Sequence, residues 1–373
     1  MPIVMEWKTV ITTIGVVSLC FLAIPIKIEP DNTENDLKLF KTYVEKFKKP
    51  YTRSPAEYDE RFRKFQQSLR HIEEMNAKRT SKESARYGVT EFSDMSEDEF
   101  ANSYLRPDLS SRGMRHLHHS HHHSHRHNRD NTKDRDGSSE KNRLRRSTTG
   151  LPVKFDWRET GFVTPIRNQM NCGACWAFST VEVAETMFAI KNGTLHALSV
   201  QEMIDCAGNS NFGCNGGDIC SLLMWLTATR VKIQEEPAYP MTWRTDTCQL
   251  KKEDSSSAGT FGVQIMDFTC DNYVDAEESL MEILVSHGPV AAAVNALSWQ
   301  NYLGGVIQFH CDGGFKSLNH AVQIVGYDLS TSVPFYIVRN SWGENFGENG
   351  YLYLAAYGNL CGIANQVSSL DVA

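Results

Sequence analysis

Polar and apolar positions along the first third of the chain follow helical spacing. Glu57, Arg61, Phe65, Ile72 and Asn76 recur at intervals of four with one gap of seven. They therefore lie along one side of a helix of about five turns, the arrangement of an amphipathic helix whose polar members pair at i,i+4. Tyr87-Gly88-Val89-Thr90-Glu91-Phe92-Ser93-Asp94 alternates and predicts a short strand. Ser96-Glu97-Asp98-Glu99 then has the form of a capping box opening another helix. Over residues 106–150 hydrophobic residues nearly vanish, and such a stretch buries too little apolar surface to fold. A globular pattern starts at Leu151. Val181, Ala184, Met187 and Phe188 continue at helical spacing behind Cys175, with Trp176 and Phe178 beside them, and Ser199-Val200-Gln201-Glu202 caps a helix ending near Cys206. Gly213-Cys214-Asn215-Gly216-Gly217 reads as a loop that a second backbone can approach. The period then changes: Val290–Val294, His320–Tyr327, Pro334–Asn340 and Gly350–Leu354 are apolar, β-branched runs between Gly, Asn and Pro turns. A helical half precedes a β half, which suggests an α+β fold with a cleft between its parts.

Charge and cysteine usage sharpen this picture. The 373 residues carry a formal −7, but from Leu151 onward 11 Lys and Arg face 23 Asp and Glu, a net of −12, leaving +5 for residues 1–150. An acidic body argues against nucleic acid as a partner and suits a basic front piece that lies on it. Nine of the 10 cysteines follow residue 171, as in an oxidising compartment. Lys8 precedes the uncharged apolar stretch Thr9–Ile26, which reads first as a cleaved secretory signal over residues 1–26 and second as a membrane anchor. Both readings deliver the chain to the secretory lumen. His116, His118, His119, His121, His122, His123, His125 and His127 crowd the polar stretch, which reads as a mobile linker. Such tracts bind metals without fixed geometry or gain charge on acidification, but a solvated spacer is the simpler expectation, and no dedicated metal site or cofactor is expected. Arg143-Leu144-Arg145-Arg146 suits a lumenal proprotein-processing protease, so a cut is expected after Arg146 or slightly later, near Leu151.

The candidate chemistry centres on Gln169-Met170-Asn171-Cys172-Gly173-Ala174-Cys175-Trp176. At the first turn of a buried helix, exposed amides and the helix dipole favour a thiolate at Cys175. Cys-x-x-Cys is equally the form of a thioredoxin-like redox pair, half a zinc site, or two structural half-cystines, and on residue pattern alone these alternatives stay open. A nucleophile needs a base, and the base an orienting partner. His320 opens one β run and Asn340 closes the next, so adjacent antiparallel strands can bring them to one rim of the cleft.

The ordered set Gln169, Cys175, His320 and Asn340-Ser341-Trp342, together with Cys-Gly-Ala-Cys-Trp, resembles the papain-like cysteine peptidases from about Leu37 to the C-terminus, apart from the histidine-rich stretch. The resemblance implies a two-lobe α+β fold preceded by a helical inhibitory propeptide over residues 31–105, with the peptidase over 151–373. It implies Cys175 as nucleophile, His320 as base and acid, Asn340 orienting the imidazole, Gln169 with the Cys175 amide as oxyanion hole, and Trp342 shielding the His–Asn bond. It further implies a thiolate–imidazolium pair, the thiol titrating at about 3–4 as in papain. The implied partners are polypeptide substrates and the chain's own propeptide, the implied organisation a monomer. No equivalent of an occluding loop with paired histidines is present, which points to an endopeptidase.

By the same resemblance, Gly216 and Gly217 offer backbone hydrogen bonds to substrate, while Ile219, Ala293, Ala321 and Gln366 line the pocket for the residue two before the cut. Gln366 is an unusual floor that favours some polar tolerance. The implied disulfides are Cys172–Cys214, Cys206–Cys248 and Cys311–Cys361, leaving Cys220 and Cys270 either paired or free. Glu57, Arg61, Phe65, Ile72 and Asn76 match the long-helix propeptide motif, with Ser68 a departure. Gly88, Phe92 and Asp94 match the following motif, with a departure at Thr90, and carboxylates such as Asp94 are expected to lose pairing on acidification. Phe346 stands where a tryptophan is common on the leaving-group side. Asn192-Gly193-Thr194 has the form of a glycosylation acceptor on a helix-ending turn.

Overall fold

A computed structural model describes residues 33–105, 150–250 and 261–373. The expected leader, the histidine tract and the cleavage site at Arg146 lie outside the described residues. The chain divides into two compact units, one ending at Tyr58 and one starting at Asp59. In the first, helix α1 (Thr33–Lys46) buries Phe40, Tyr43 and Val44. The Phe40 ring lies 6.2 Å from that of Tyr51 and 5.0 Å from that of Tyr58. Helix α2 (Pro55–Ala77) starts in this unit and continues into the second.

In the second unit α2 buries Phe65, Ser68, Ile72 and Met75, so the departure at Ser68 sits on the packed face. Strand β1 is only Arg86–Tyr87, much shorter than the alternation suggested. Beyond it the Thr90 N–H donates to Ser93 Oγ and the Ser93 N–H to Thr90 O, so local side-chain bonding turns the chain where a strand was expected. Helix α3 (Glu97–Tyr104) opens with the full capping box of Ser96 and Glu99.

After β2 (Lys154–Asp156) comes α4 (Cys175–Asn192), buried nearly all round and closed by Gly193 at φ +73°. Then follow α5 (Val200–Cys206), α6 (Ile219–Thr229), β3 (Lys232–Gln234), β4 (Gly262–Phe268) and α7 (Glu277–Ser286). Strands β5 (Val290–Val294), β6 (Tyr302–Gly304), β7 (Val306–Ile307), β8 (His320–Asp328), β9 (Phe335–Arg339), β10 (Tyr351–Ala355), β11 (Val367–Ser368) and β12 (Leu370–Val372) complete the chain. The main sheet runs β11-β5-β8-β9-β10-β7, with β2 also paired to β8. A three-stranded sheet runs β12-β4-β3.

Two apolar cores result. One surrounds α4 and takes in Met203, Leu222, Leu226, Ile265 and Val372; the other fills the main sheet around Trp299, Tyr302, Tyr336 and Trp342. Chain order alone does not assign the strands to these cores. Phe155, in the first strand of the domain, pairs with Tyr327 of β8, while Leu370 near the C-terminus pairs with Phe268 beside the helical core. The ends of the domain thus cross over.

The three disulfides implied by the resemblance are present, with Cα separations of 4.5 Å for Cys172–Cys214, 4.7 Å for Cys206–Cys248 and 4.6 Å for Cys311–Cys361. Cys220 and Cys270 pair with each other. Each bridge closes a loop worth about 4 kcal/mol on the chain-entropy argument.

Candidate active site

Cys175 is the first residue of α4, fully buried and outside the four disulfides. Its neighbour Cys172 is bonded to Cys214, so the two thiols do not serve each other as a redox pair. Helix α4 packs on β8, where Gln323 Nε2 donates to Glu182 O at 3.1 Å. Counting back from that contact, Cys175 lies seven residues along the helix and His320 three along the strand. Each span is about 10 Å, and each residue opens its own element, Cys175 the helix and His320 the strand.

His320 pairs with Val294 across β5–β8, and Asn340 follows the last residue of β9. Because β8 and β9 are adjacent and antiparallel, the start of one meets the end of the other. His320 Nε2 donates to Asn340 Oδ1 at 2.8 Å, which fixes the ring and leaves Nδ1, buried, with no hydrogen-bond partner among the described residues. Trp342 is fully buried with its ring 4.8 Å from the imidazole, keeping water from the His–Asn bond. Burial pushes the imidazole down to about 4, only partly offset by the Asn340 bond. Burial thus disfavours the charged imidazole in the zymogen.

Gln169 is tied into the same constellation. Its N–H donates to Ser341 O at 2.8 Å, and its side-chain oxygen accepts from Ser341 Oγ at 2.6 Å. With the oxygen held, Nε2 is aimed at two carbonyls, Cys172 O at 3.1 Å and Tyr104 O at 3.3 Å. Tyr104 ends α3, so a backbone carbonyl of the front segment occupies the Gln169 amide. Around it Phe92, Phe100 and Tyr104 pack on Trp342, with ring separations of 5.8, 5.3 and 6.4 Å.

The front segment is anchored by backbone pairing. Tyr87 pairs with Tyr302 and Arg86 with Gly304, while Ala85 N donates to Val306 O at 2.8 Å. Gln300 Nε2 donates to the carbonyls of Phe92 and Met95, and Thr90 Oγ1 to Gln300 O, so the departure at Thr90 makes a buried bond. Gly88 N donates to Asn301 O. Of the helix motif, Asn76 brackets Tyr87 with bonds to its N–H and C=O. Arg61 donates to the Asp94 backbone carbonyl and to the Glu99 carboxylate. Glu57 is exposed on the first turn of α2. Burial would raise the Glu99 carboxyl, yet the hydrogen bond from Lys64, that from the Ser96 N–H and the charges of Arg61 and Lys64 hold it below the usual range. Glu99 is therefore a propeptide carboxylate whose pairing is lost on acidification.

Gly216 and Gly217 lie next to the Cys172–Cys214 bridge. Gly216 has φ +104°, a conformation open only to glycine, and a Cβ on Gly217 would meet the Trp176 ring at 2.5 Å. The Gly216 N–H donates to Gly213 O and its carbonyl accepts from the Phe212 N–H. Ala293 and Ala321 are cross-strand partners, and Ala293 N donates to Gln366 O at 3.0 Å. Gln366 Nε2 in turn donates to Asp218 Oδ2 at 2.7 Å, beside Ile219. These four residues do come together, but the glutamine amide is already bonded.

Sequence reasoning passed over one feature, a buried charge network on the inner face of α4. Arg339 Nη2 lies 3.2 Å from Glu182 Oε1 with both side chains sealed from solvent, and Arg167 Nη2 lies 2.6 Å from Glu185 Oε1. Two glutamates inside an otherwise apolar helix were the available signal. Arg339 directly precedes Asn340, so this network also sets where the His320 partner stands.

A profile described as papain family cysteine protease matches residues 151–370, and one described as cathepsin propeptide inhibitor domain matches residues 40–100. Human cathepsin O is 37% identical over 311 residues, spanning 83% of this chain and 87% of that protein. Mouse cathepsin O is 42% identical over 222 residues, 60% of this chain and 69% of that protein. Cysteine proteinase 1 of Dictyostelium discoideum is 34% identical, spanning 88% of this chain and 91% of that protein. Among solved structures, the recombinant stem bromelain precursor superposes with a TM-score of 0.70 at 26% identity over 90% of this chain and 99% of its own. Digestive procathepsin L 3 of Tenebrio molitor larval midgut does so with 0.69 at 29% identity, again over 90% and 99%. The chain therefore belongs to the papain family of cysteine proteases, as a peptide hydrolase made with its own inhibitory propeptide.

Proposed function

We propose that this zymogen yields a cysteine endopeptidase in which Cys175 is the nucleophile, His320 the general base and acid, Asn340 the residue orienting the imidazole, and Gln169 with the Cys175 amide the oxyanion hole. The observation that carries the assignment is the hydrogen-bonded line from His320 through Asn340 and Ser341 to Gln169 at the head of α4. His320 takes the Cys175 thiol proton as Sγ adds to the peptide carbonyl carbon, and the new oxyanion accepts from Gln169 Nε2 once the Tyr104 carbonyl has left. The C–N bond breaks as His320 gives its proton to the leaving amine. Water then attacks the thioester, His320 taking its proton and the sulfur departing. Labelling of the activated protein by a peptide-based thiol probe, together with peptide cleavage, tests this. Both disappear in Cys175→Ala. Labelling that persists in that variant, or moves to another cysteine, rejects the assignment.

The propeptide is assigned to residues 31–105 and the peptidase to 151–373, with residues 1–26 a signal, 106–150 a linker and activation by a cut near Arg146. Four disulfides and the kinship with cathepsins support a lysosomal or secreted protein, and no helix among the described residues is long and apolar enough to cross a membrane. The exposed Asn192 at the end of α4 is assigned as a glycosylation site, to be checked by a mobility shift on deglycosylation that Asn192→Gln abolishes. Polypeptides are the substrates, and the enzyme acts as a monomer. Gly216 and Gly217 offer backbone hydrogen bonds to the extended peptide. Ile219, Ala293, Ala321 and Gln366 line the pocket for the residue two before the cut. Because Asp218 already accepts from the Gln366 amide, polar tolerance in that pocket rests on the remaining carbonyl oxygen as an acceptor. In a peptide library, Gln366→Ala shifts preference from hydroxyl- or amide-bearing toward aliphatic side chains by about fivefold. An unchanged profile would remove Gln366 from the pocket.

A further inference from the structure

Two large apolar side chains stand in solvent next to the oxyanion glutamine. Met170 is 48% exposed and Trp243 44% exposed. Both sit in the left-handed region, at φ +53° and +58°, where a side-chain-bearing residue is strained. Neither recovers that cost by packing in a core. Both are instead held by one residue. The Met170 N–H donates to Asn168 Oδ1 at 2.8 Å, and Trp243 Nε1 donates to Asn168 O at 2.9 Å. An indole anchored through its own N–H presents a rigid apolar face with little entropy left to lose on binding.

The position of this ledge decides what it can serve. Asn168 bridges to Trp342, and its amide lies against Gly343, whose absent Cβ would come within 2.9 Å of Nδ2. The ledge therefore adjoins Gln169 on the Trp342 side. Gly216 and Gly217, assigned to the acyl side of the substrate, attach at Cys172 and Gly173 through the Cys172–Cys214 bridge and the bond from Gly173 N to Cys214 O. We propose that Met170 and Trp243 form an apolar subsite for the leaving side of a polypeptide substrate, selecting a large apolar side chain at the first or second residue after the scissile bond. This rests on the peptidase reading above.

The test uses the full-length zymogen after activation, with peptides that share one acyl side and carry Gly, Leu, Phe or Asp at the first or second leaving-side residue. The ratio of kcat/KM for Leu or Phe over Gly is expected to be about tenfold at one of these positions. That ratio falls toward one in Trp243→Ala and in Met170→Gly. Glycine adopts φ +53° without strain, so Met170→Gly keeps the fold even if Trp243→Ala does not, and thermal melts of both report this. An arylamide substrate, which carries an arylamine and no amino acid beyond the scissile bond, separates the two readings. Its cleavage alongside a ratio near one, or a ratio unchanged in both variants, overturns the subsite alone. Failure to cleave any substrate overturns both.

Discussion

Alanine at His320 lowers kcat for peptide hydrolysis by about ten-thousandfold while KM stays within a few-fold. The imidazole stands at the start of β8, beside the end of β9, and is oriented by the 2.8 Å bond to Asn340. Without it the thiol has no proton acceptor and the leaving amine no donor, whereas Gly217 and the pocket residues still bind peptide. Asn340→Ala should cost less than His320→Ala, because Trp299 and Trp342 still flank the ring at 6.2 and 4.8 Å. Steady-state kinetics on activated enzyme give the comparison. Should His320→Ala keep more than a tenth of the activity, another residue is the base.

Zymogen stability depends on pH through buried groups of opposite sign, two glutamates and one histidine. Burial lifts the Glu182 carboxyl to about 7 despite the pull of Arg339 and Arg167. A raised carboxyl contributes stability that is full below its unfolded value near 4.5 and is lost as pH rises through about 7. That window corresponds to about 3 kcal/mol. Glu202, also lifted to about 7 by burial, adds a term of the same sign. His320, depressed to about 4, contributes stability present above its unfolded value near 6.5 and lost as pH falls toward 4. Acid therefore favours any state in which the imidazole is hydrated, including one with the propeptide lifted, while the glutamates keep the peptidase core intact. Melting temperatures from pH 4 to 8 should show less loss of stability above pH 5 in Glu182→Gln, and less loss below pH 6 in His320→Ala. Parallel curves for wild type and Glu182→Gln would show that the carboxyl is ionised throughout.

Much of this was legible in the residues. Period-four spacing marked α2, the capping residues Ser96 and Ser199 marked helix starts, and the β-branched runs at 290–294 and 320–327 became β5 and β8 nearly residue for residue. These are local signals, in which one segment states its own period and its own cap. The alternation at Tyr87–Asp94 misled because the Thr90 and Ser93 hydroxyls compete for the backbone, which periodicity does not register.

By itself the sequence determined several helices, the longer strands of the main sheet, and which cysteine heads the buried helix. Those properties follow from spacing and residue type within a few turns of chain. The tertiary structure alone decided the rest: the Cys220–Cys270 bridge, the Glu182–Arg339 pair across α4 and β9, the exchange of β2 and β12 between the cores, and the Tyr104 carbonyl on Gln169. Each joins residues far apart in the chain. Burial, which sets both pairing and proton affinity, exists only once those distant segments have closed over one another.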